Sequence, residues 1–117
     1  MMIDREEITV TSKNGNDLST ILAVSDQPST SVVIVSHGYD AKKDESAFEL
    51  TDLGYDVVIF DYQGCGDSEG DFEKKTVTRD IEDLTAVIDY FDKDEGVIIY
   101  GSSFKALLLT IIFTHPL

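Results

Sequence analysis

The sequence predicts an α/β fold, an N-terminal β-hairpin followed by β-α-β-α-β-α around a mostly parallel sheet. Three observations predict it. Apolar, largely β-branched runs at 32–35, 57–60 and 97–100 have the character of strands buried on both faces. Stretches with helical spacing lie between them. Each run then enters a turn that contains glycine: Ser36-His37-Gly38, Asp61-Tyr62-Gln63-Gly64 and Gly101-Ser102-Ser103. Buried strands alternating with helices make a parallel sheet, because a parallel pair needs a crossover.

In chain order, Ile8 and Val10, then Leu18, Ile21, Leu22 and Val24, flank Asn14-Gly15-Asn16-Asp17. This is a hairpin in which Asn-Gly supplies the positive φ. A polar, proline-containing loop over 27–31 leads to the first buried strand. Residues 42–53 read as a helix with Ala47, Phe48, Leu50 and Leu53 on one side and Gly54 as its stop. After the strand at 57–60 comes a glycine-rich loop over 61–70. From 76 to 91, Val77, Ile81, Leu84, Ile88 and Phe91 recur at intervals of 4, 3, 4 and 3, an amphipathic helix. The strand at 97–100 precedes an apolar helix over 104–113, which His115-Pro116 ends. There is no internal repeat and no linker, so residues 1–117 are expected to form one domain.

Composition excludes several classes of function. Nine Lys+Arg against 23 Asp+Glu give a formal net charge of −14. Such a surface repels phosphate backbones, so neither nucleic acid nor an anionic membrane is expected as a partner. The aspartate-rich, lysine-poor bias resembles that of proteins from salt-rich cytoplasms, a reading that a melting temperature indifferent to molar salt would remove. One cysteine, Cys65, allows no internal disulfide, and two histidines, His37 and His115, make no His-rich site. No metal and no organic cofactor are expected. No secretory signal is visible at the N-terminus, and the longest apolar run is too short to span a bilayer, which makes the cytoplasm the expected location.

In sheets of this kind ligands collect at the carboxyl ends of the strands. Ser36-His37-Gly38-Tyr39 resembles the His-Gly-aromatic turn after the third strand of the α/β-hydrolases. Asp61-Tyr62-Gln63-Gly64-Cys65-Gly66-Asp67-Ser68 resembles their Asp-x-Arg-Gly-x-Gly-x-Ser loop, with Gln63 where arginine is usual. Gly101-Ser102-Ser103-Phe104 resembles their Gly-x-Ser-x-Gly nucleophile elbow, with Lys105 where the last glycine belongs. The chain thus resembles the N-terminal half of an α/β-hydrolase of the serine esterase, lipase and serine aminopeptidase kind.

The resemblance implies a serine hydrolase of esters, thioesters or amides working through a Ser103 acyl-enzyme. Ser103 matches the nucleophile, and the backbone N–H groups of Phe104 and Tyr39 match the oxyanion hole. His37 lies near that site in the family but is not its general base, and Asp61 belongs to a loop that mainly fixes structure. The family's acid and histidine come from later strands, which this sequence lacks, so the fold is expected to be truncated. His115 is about a dozen residues beyond Ser103, roughly 18 Å along a helix, too far to serve it directly. A catalytically inactive α/β-hydrolase fragment, acting as an interaction module or as one half of a split enzyme, is the alternative. A nucleotide-binding α/β protein is disfavoured, since neither Gly-x-Gly-x-x-Gly nor a Walker loop is present.

The remaining polar residues carry plainer expectations. Lys42-Lys43 and Lys74-Lys75 read as solvated helix starts, and Cys65 as an incidental thiol in an exposed loop. Asp80, Glu82, Asp83, Asp89 and Asp92 read mainly as a solvated helix face. The strand at 97–100 is expected to present an open apolar edge, and with it a homo-oligomer or a complementing chain.

Overall fold

The computed structural model describes residues 4–27, 31–37, 42–91 and 97–101. They form one five-stranded sheet in the order β1-β2-β4-β3-β5: β1 Asp4–Thr11, β2 Asp17–Val24, β3 Val32–Ser36, β4 Asp56–Phe60 and β5 Val97–Gly101. β1 and β2 are the antiparallel hairpin, and β2 pairs antiparallel with β4. β3 runs parallel to both β4 and β5. The expected fold class therefore stands, with the hairpin as the antiparallel margin of a parallel sheet. Gly15 takes φ +90° in the hairpin loop, the backbone conformation for which glycine was expected.

Both faces of the sheet are covered, which is why the central strands do not alternate polar with apolar. Val58, Phe60 and Ile34 face one side, where α1 (Val77–Phe91) brings Leu84, Val87 and Phe91. Val57 and Ile59 face the other, against Phe48. Alternate residues of one strand thus serve two cores.

Two elements depart from expectation in an instructive way. The segment expected as a helix over 42–53 is a 3₁₀ helix, Glu45–Leu53, capped by the Asp44 side chain and stopped by Gly54 in the left-handed region. Three residues per turn align Phe48 with Thr51, and these two are buried. Leu53, expected on the inner side, is 70% exposed.

In α1 the helix is where it was expected, but its buried stripe is turned. Asp80, Asp83, Leu84, Val87 and Phe91 face inward, while Val77 is exposed and Ile81 and Ile88 are half-buried. Asp80 and Asp83 are therefore not part of a solvated face. The turn is stable because both carboxylates find partners inside, as described below. The expected helix over 104–113 and its end at His115-Pro116 lie outside the described residues.

Candidate active site

Parallel pairing brings the carboxyl ends of β3, β4 and β5 to one edge of the sheet. Val35 stands opposite both Ile59 and Tyr100, and Ser36 opposite Gly101. The turn after Ser36, the loop after Phe60 and the segment after Gly101 thus leave neighbouring strands at one level. Ser103, Phe104, Lys105, Tyr39 and His115 lie outside the described residues. Of the segments expected to carry the chemistry, the structure describes the strand ends that enter them, His37, and the whole of the 61–70 loop.

The loop is built on Asp61, which is fully buried. Its Oδ1 accepts from the Lys43 backbone N–H at 2.6 Å. Its Oδ2 accepts from Lys43 Nζ at 2.6 Å and from the Asp67 N–H at 2.9 Å. Lys43 Nζ also reaches Asp67 Oδ2 and Ser19 Oγ, each at 3.2 Å. Lys43 is thus not a solvated helix start: its side chain is 11% exposed and ties the strand-end loops together. Burial alone would raise the Asp61 pKa, but the Lys43 ammonium and the two N–H donors outweigh it and hold it below the ordinary carboxylate value. Burial likewise works against the charged Lys43, yet Asp61 and Asp67 together lift it above the ordinary lysine value. These contacts give Asp61 the structural role expected of it.

Beneath the loop lies a second buried polar group. Asp83 Oδ2 accepts from the backbone N–H of Gln63 at 2.8 Å and from its side-chain amide at 3.1 Å, and Asp83 Oδ1 accepts from Asn14 Nδ2 at 3.0 Å. Where arginine is usual, a neutral amide shares the work with an asparagine of the hairpin. Lys75, expected to be solvated, is buried, pairs with Asp80, and places its Nζ 4.7 Å from the centroid of the Tyr62 ring. Cys65 is not exposed either; it packs in the core with Tyr62 and Leu84. Sequence reading missed these because a paired buried charge carries no mark in hydropathy.

Tyr62 joins the two regions. Its hydroxyl and the Ser36 hydroxyl are 2.6 Å apart, and its backbone N–H donates to His37 Nε2 at 3.1 Å. Burial pushes the Tyr62 hydroxyl far above the ordinary phenol range, against the Ser36 hydrogen bond and with the charges of Asp80 and Asp83 adding to it. His37 meets the Tyr62 ring edge-on at 5.0 Å and 84°. A nitrogen that accepts from a backbone N–H cannot also carry a proton there, so the neutral ring holds its proton on Nδ1. His37 thereby ties the end of β3 to the start of the 61–70 loop.

Among the described residues, no cluster of His, Cys, Asp and Glu could hold a metal ion, and no helix is long and apolar enough to cross a membrane.

The family model for the X-Pro dipeptidyl-peptidases (S15 family) matches residues 10–116. No curated protein matches the chain in sequence. Among solved structures, the esterase Pf2001 of Pyrococcus furiosus is similar at 24% identity and a TM-score of 0.81, over 97% of this chain and 48% of that one. A protein of Agrobacterium vitis S4 assigned as a hydrolase is similar at 28% identity and a TM-score of 0.78, over 97% and 46%. Est1E of Butyrivibrio proteoclasticus, solved with ferulic acid bound, is similar at 22% identity and a TM-score of 0.75, over 89% and 45%. The chain spans about half the length of these relatives, and the fold they share with it is that of the α/β-hydrolases.

Proposed function

The chain belongs to the X-Pro dipeptidyl-peptidase (S15) family, and from that premise we propose that it carries the nucleophile half of a serine hydrolase acting on an ester, thioester or amide carbonyl. Ser103 Oγ attacks the carbonyl carbon, its proton passes to a base, and the C–O⁻ that forms is held by the backbone N–H groups of Phe104 and Tyr39. Expulsion of the protonated leaving group gives the acyl-enzyme, which water then hydrolyses.

The observation that supports this best is the register of β3 against β5. Ser36 opposite Gly101 brings level, at the carboxyl edge, the two strand ends that Tyr39 and Ser103 follow in the sequence. No motif read among residues 1–117 matches the base or its acid.

The test is intact mass after incubation with a fluorophosphonate probe, beside Ser103→Ala. Stoichiometric labelling of the parent and none of the variant is the expected result. A folded parent that takes no label would overturn the reading and leave the second one, an inactive scaffold.

That second reading has its own support at the margin of the sheet. Among the described residues β5 pairs only with β3, and Ile98 is 45% exposed beside Val33 and Val35 in a groove of about 570 Å³. An apolar parallel edge of this kind favours association. Light scattering at micromolar concentration is expected to give a dimer or a larger assembly, and a monomer would refute it.

A further inference from the structure

Lys75 is the buried member of the Lys74-Lys75 pair: its side chain and that of Asp80 are both 0% exposed, whereas Lys74 is exposed. Withdrawing such a pair from water costs several kcal/mol per ion before the partners repay it, and apolar residues often serve a core as well. What this pair adds is a fixed cation at the ring of Tyr62, 4.7 Å from its centroid. Tyr62 in turn holds the last residue of β3 through its hydroxyl, at 2.6 Å from Ser36 Oγ, and the next residue through its N–H, at 3.1 Å from His37 Nε2. Ser36 is level with Gly101 on β5. A single chain of contacts therefore runs from the start of α1, through the glycine loop, to the ends of β3 and β5, the latter ending two residues before Ser103 in the sequence.

From this juxtaposition we infer that Lys75, held by Asp80, is a positioning residue: it seats Tyr62, and through Tyr62 it sets His37 and the end of β3, which the chain leaves toward Tyr39. The inference rests on the hydrolase reading for its effect on catalysis, but not for its effect on His37. Lys75 touches no substrate in this scheme and takes no proton.

The test uses Lys75→Met/Asp80→Leu, which removes both charges and leaves neither buried alone, with Lys75→Arg as the conservative variant and Lys74→Met as the exposed control. Should the double variant fail to fold by circular dichroism, Lys75→Gln takes its place, keeping a donor for Asp80 without the cation. The first readout is the ¹⁵N signature of the His37 imidazole. The parent is expected to show a single tautomer with the proton on Nδ1, the double variant an average of both tautomers, and Lys75→Arg the parent signature. The second is the rate of fluorophosphonate labelling, expected to fall at least tenfold in the double variant and to stay within threefold in Lys75→Arg and Lys74→Met.

An unchanged His37 signature in the double variant overturns the inference, and so does labelling at the parent rate. A parent that takes no label removes the hydrolase reading, and the His37 signature then decides the inference alone: averaging sustains it, constancy ends it.

Discussion

Replacing Asp61 with alanine is expected to destabilise the protein by about 3–5 kcal/mol, the usual consequence of removing one partner from a buried ion pair. The carboxylate is the acceptor for Lys43 Nζ, the Lys43 N–H and the Asp67 N–H together. Alanine leaves a cation whose side chain is 11% exposed with, among the described residues, only the exposed Asp67 carboxylate as an ionic partner, and two backbone donors without their acceptor. Typical domains have only about 5–15 kcal/mol of stability in total, so the variant should unfold at much lower urea. Asp61→Asn keeps the shape and one acceptor oxygen, and should lose less. A difference below about 1 kcal/mol for the alanine variant would show that the pair is spectator to folding.

The same pair dictates a pH dependence. The folded-state pKa of Asp61 is depressed, so its contribution is present above the unfolded value of about 3.9 and is lost as pH falls through the folded value. That of Lys43 is raised, so its contribution is present below about 10.4 and is lost as pH rises through the folded value. Urea midpoints measured from pH 7 down to 2 should therefore drop less steeply in Asp61→Ala than in the parent.

The second large effect is expected at Gly64. It sits at φ +73°, and a Cβ there would stand 2.5 Å from the backbone nitrogen of Phe72 and 2.7 Å from its Cα. Neither neighbour is a side chain that can swing away. The left-handed conformation costs a non-glycine residue about 1–2 kcal/mol, and forcing a methyl group into a packed site about 1–3 more. Gly64→Ala should thus lose roughly 2–5 kcal/mol. Gly15→Ala separates the two causes. It shares the positive φ, at +90°, but its Cβ would meet nothing within 4 Å. A loss of about 1 kcal/mol there is the backbone contribution alone. Equal losses at the two sites would mean that the crowding at Gly64 relaxes freely.

The strands were legible because two-sided burial leaves a plain mark: 32–35, 57–60 and 97–100 contain little but β-branched and large apolar residues. The 15-residue helix was legible from its period, yet the period fixes a stripe only to within about one residue, some 100° of rotation. Asp80 and Asp83 decided between neighbouring stripes, and hydropathy scores them against burial. What admits them is tertiary: Lys75 from just before the helix, Gln63 from the loop and Asn14 from a hairpin 69 residues away. No pattern local in sequence carries that information. Lys43 was hidden in the same way, by a partner 18 residues on. Of the site, the motifs indicated which strand ends matter, and the register of β3, β4 and β5 brings those ends level. Ser103, Phe104 and Tyr39 lie outside the described residues, so their roles rest on the motifs they match.

The two rims of the sheet that the described residues form are chemically unlike. β1 presents Asp4, Arg5, Glu6 and Glu7 exposed along its outer course, whereas β5 offers Val97, Ile98 and Ile99. A charged rim resists the approach of another strand, and an apolar one invites it. Head-to-tail stacking, β5 of one copy on β1 of the next, would bring the inviting rim against the resisting one at every joint. Joining β5 to β5 about a twofold axis satisfies both inviting rims at once and leaves only the charged rims outermost. The assembly proposed above is therefore expected to close as a symmetric pair rather than to extend into a fibre.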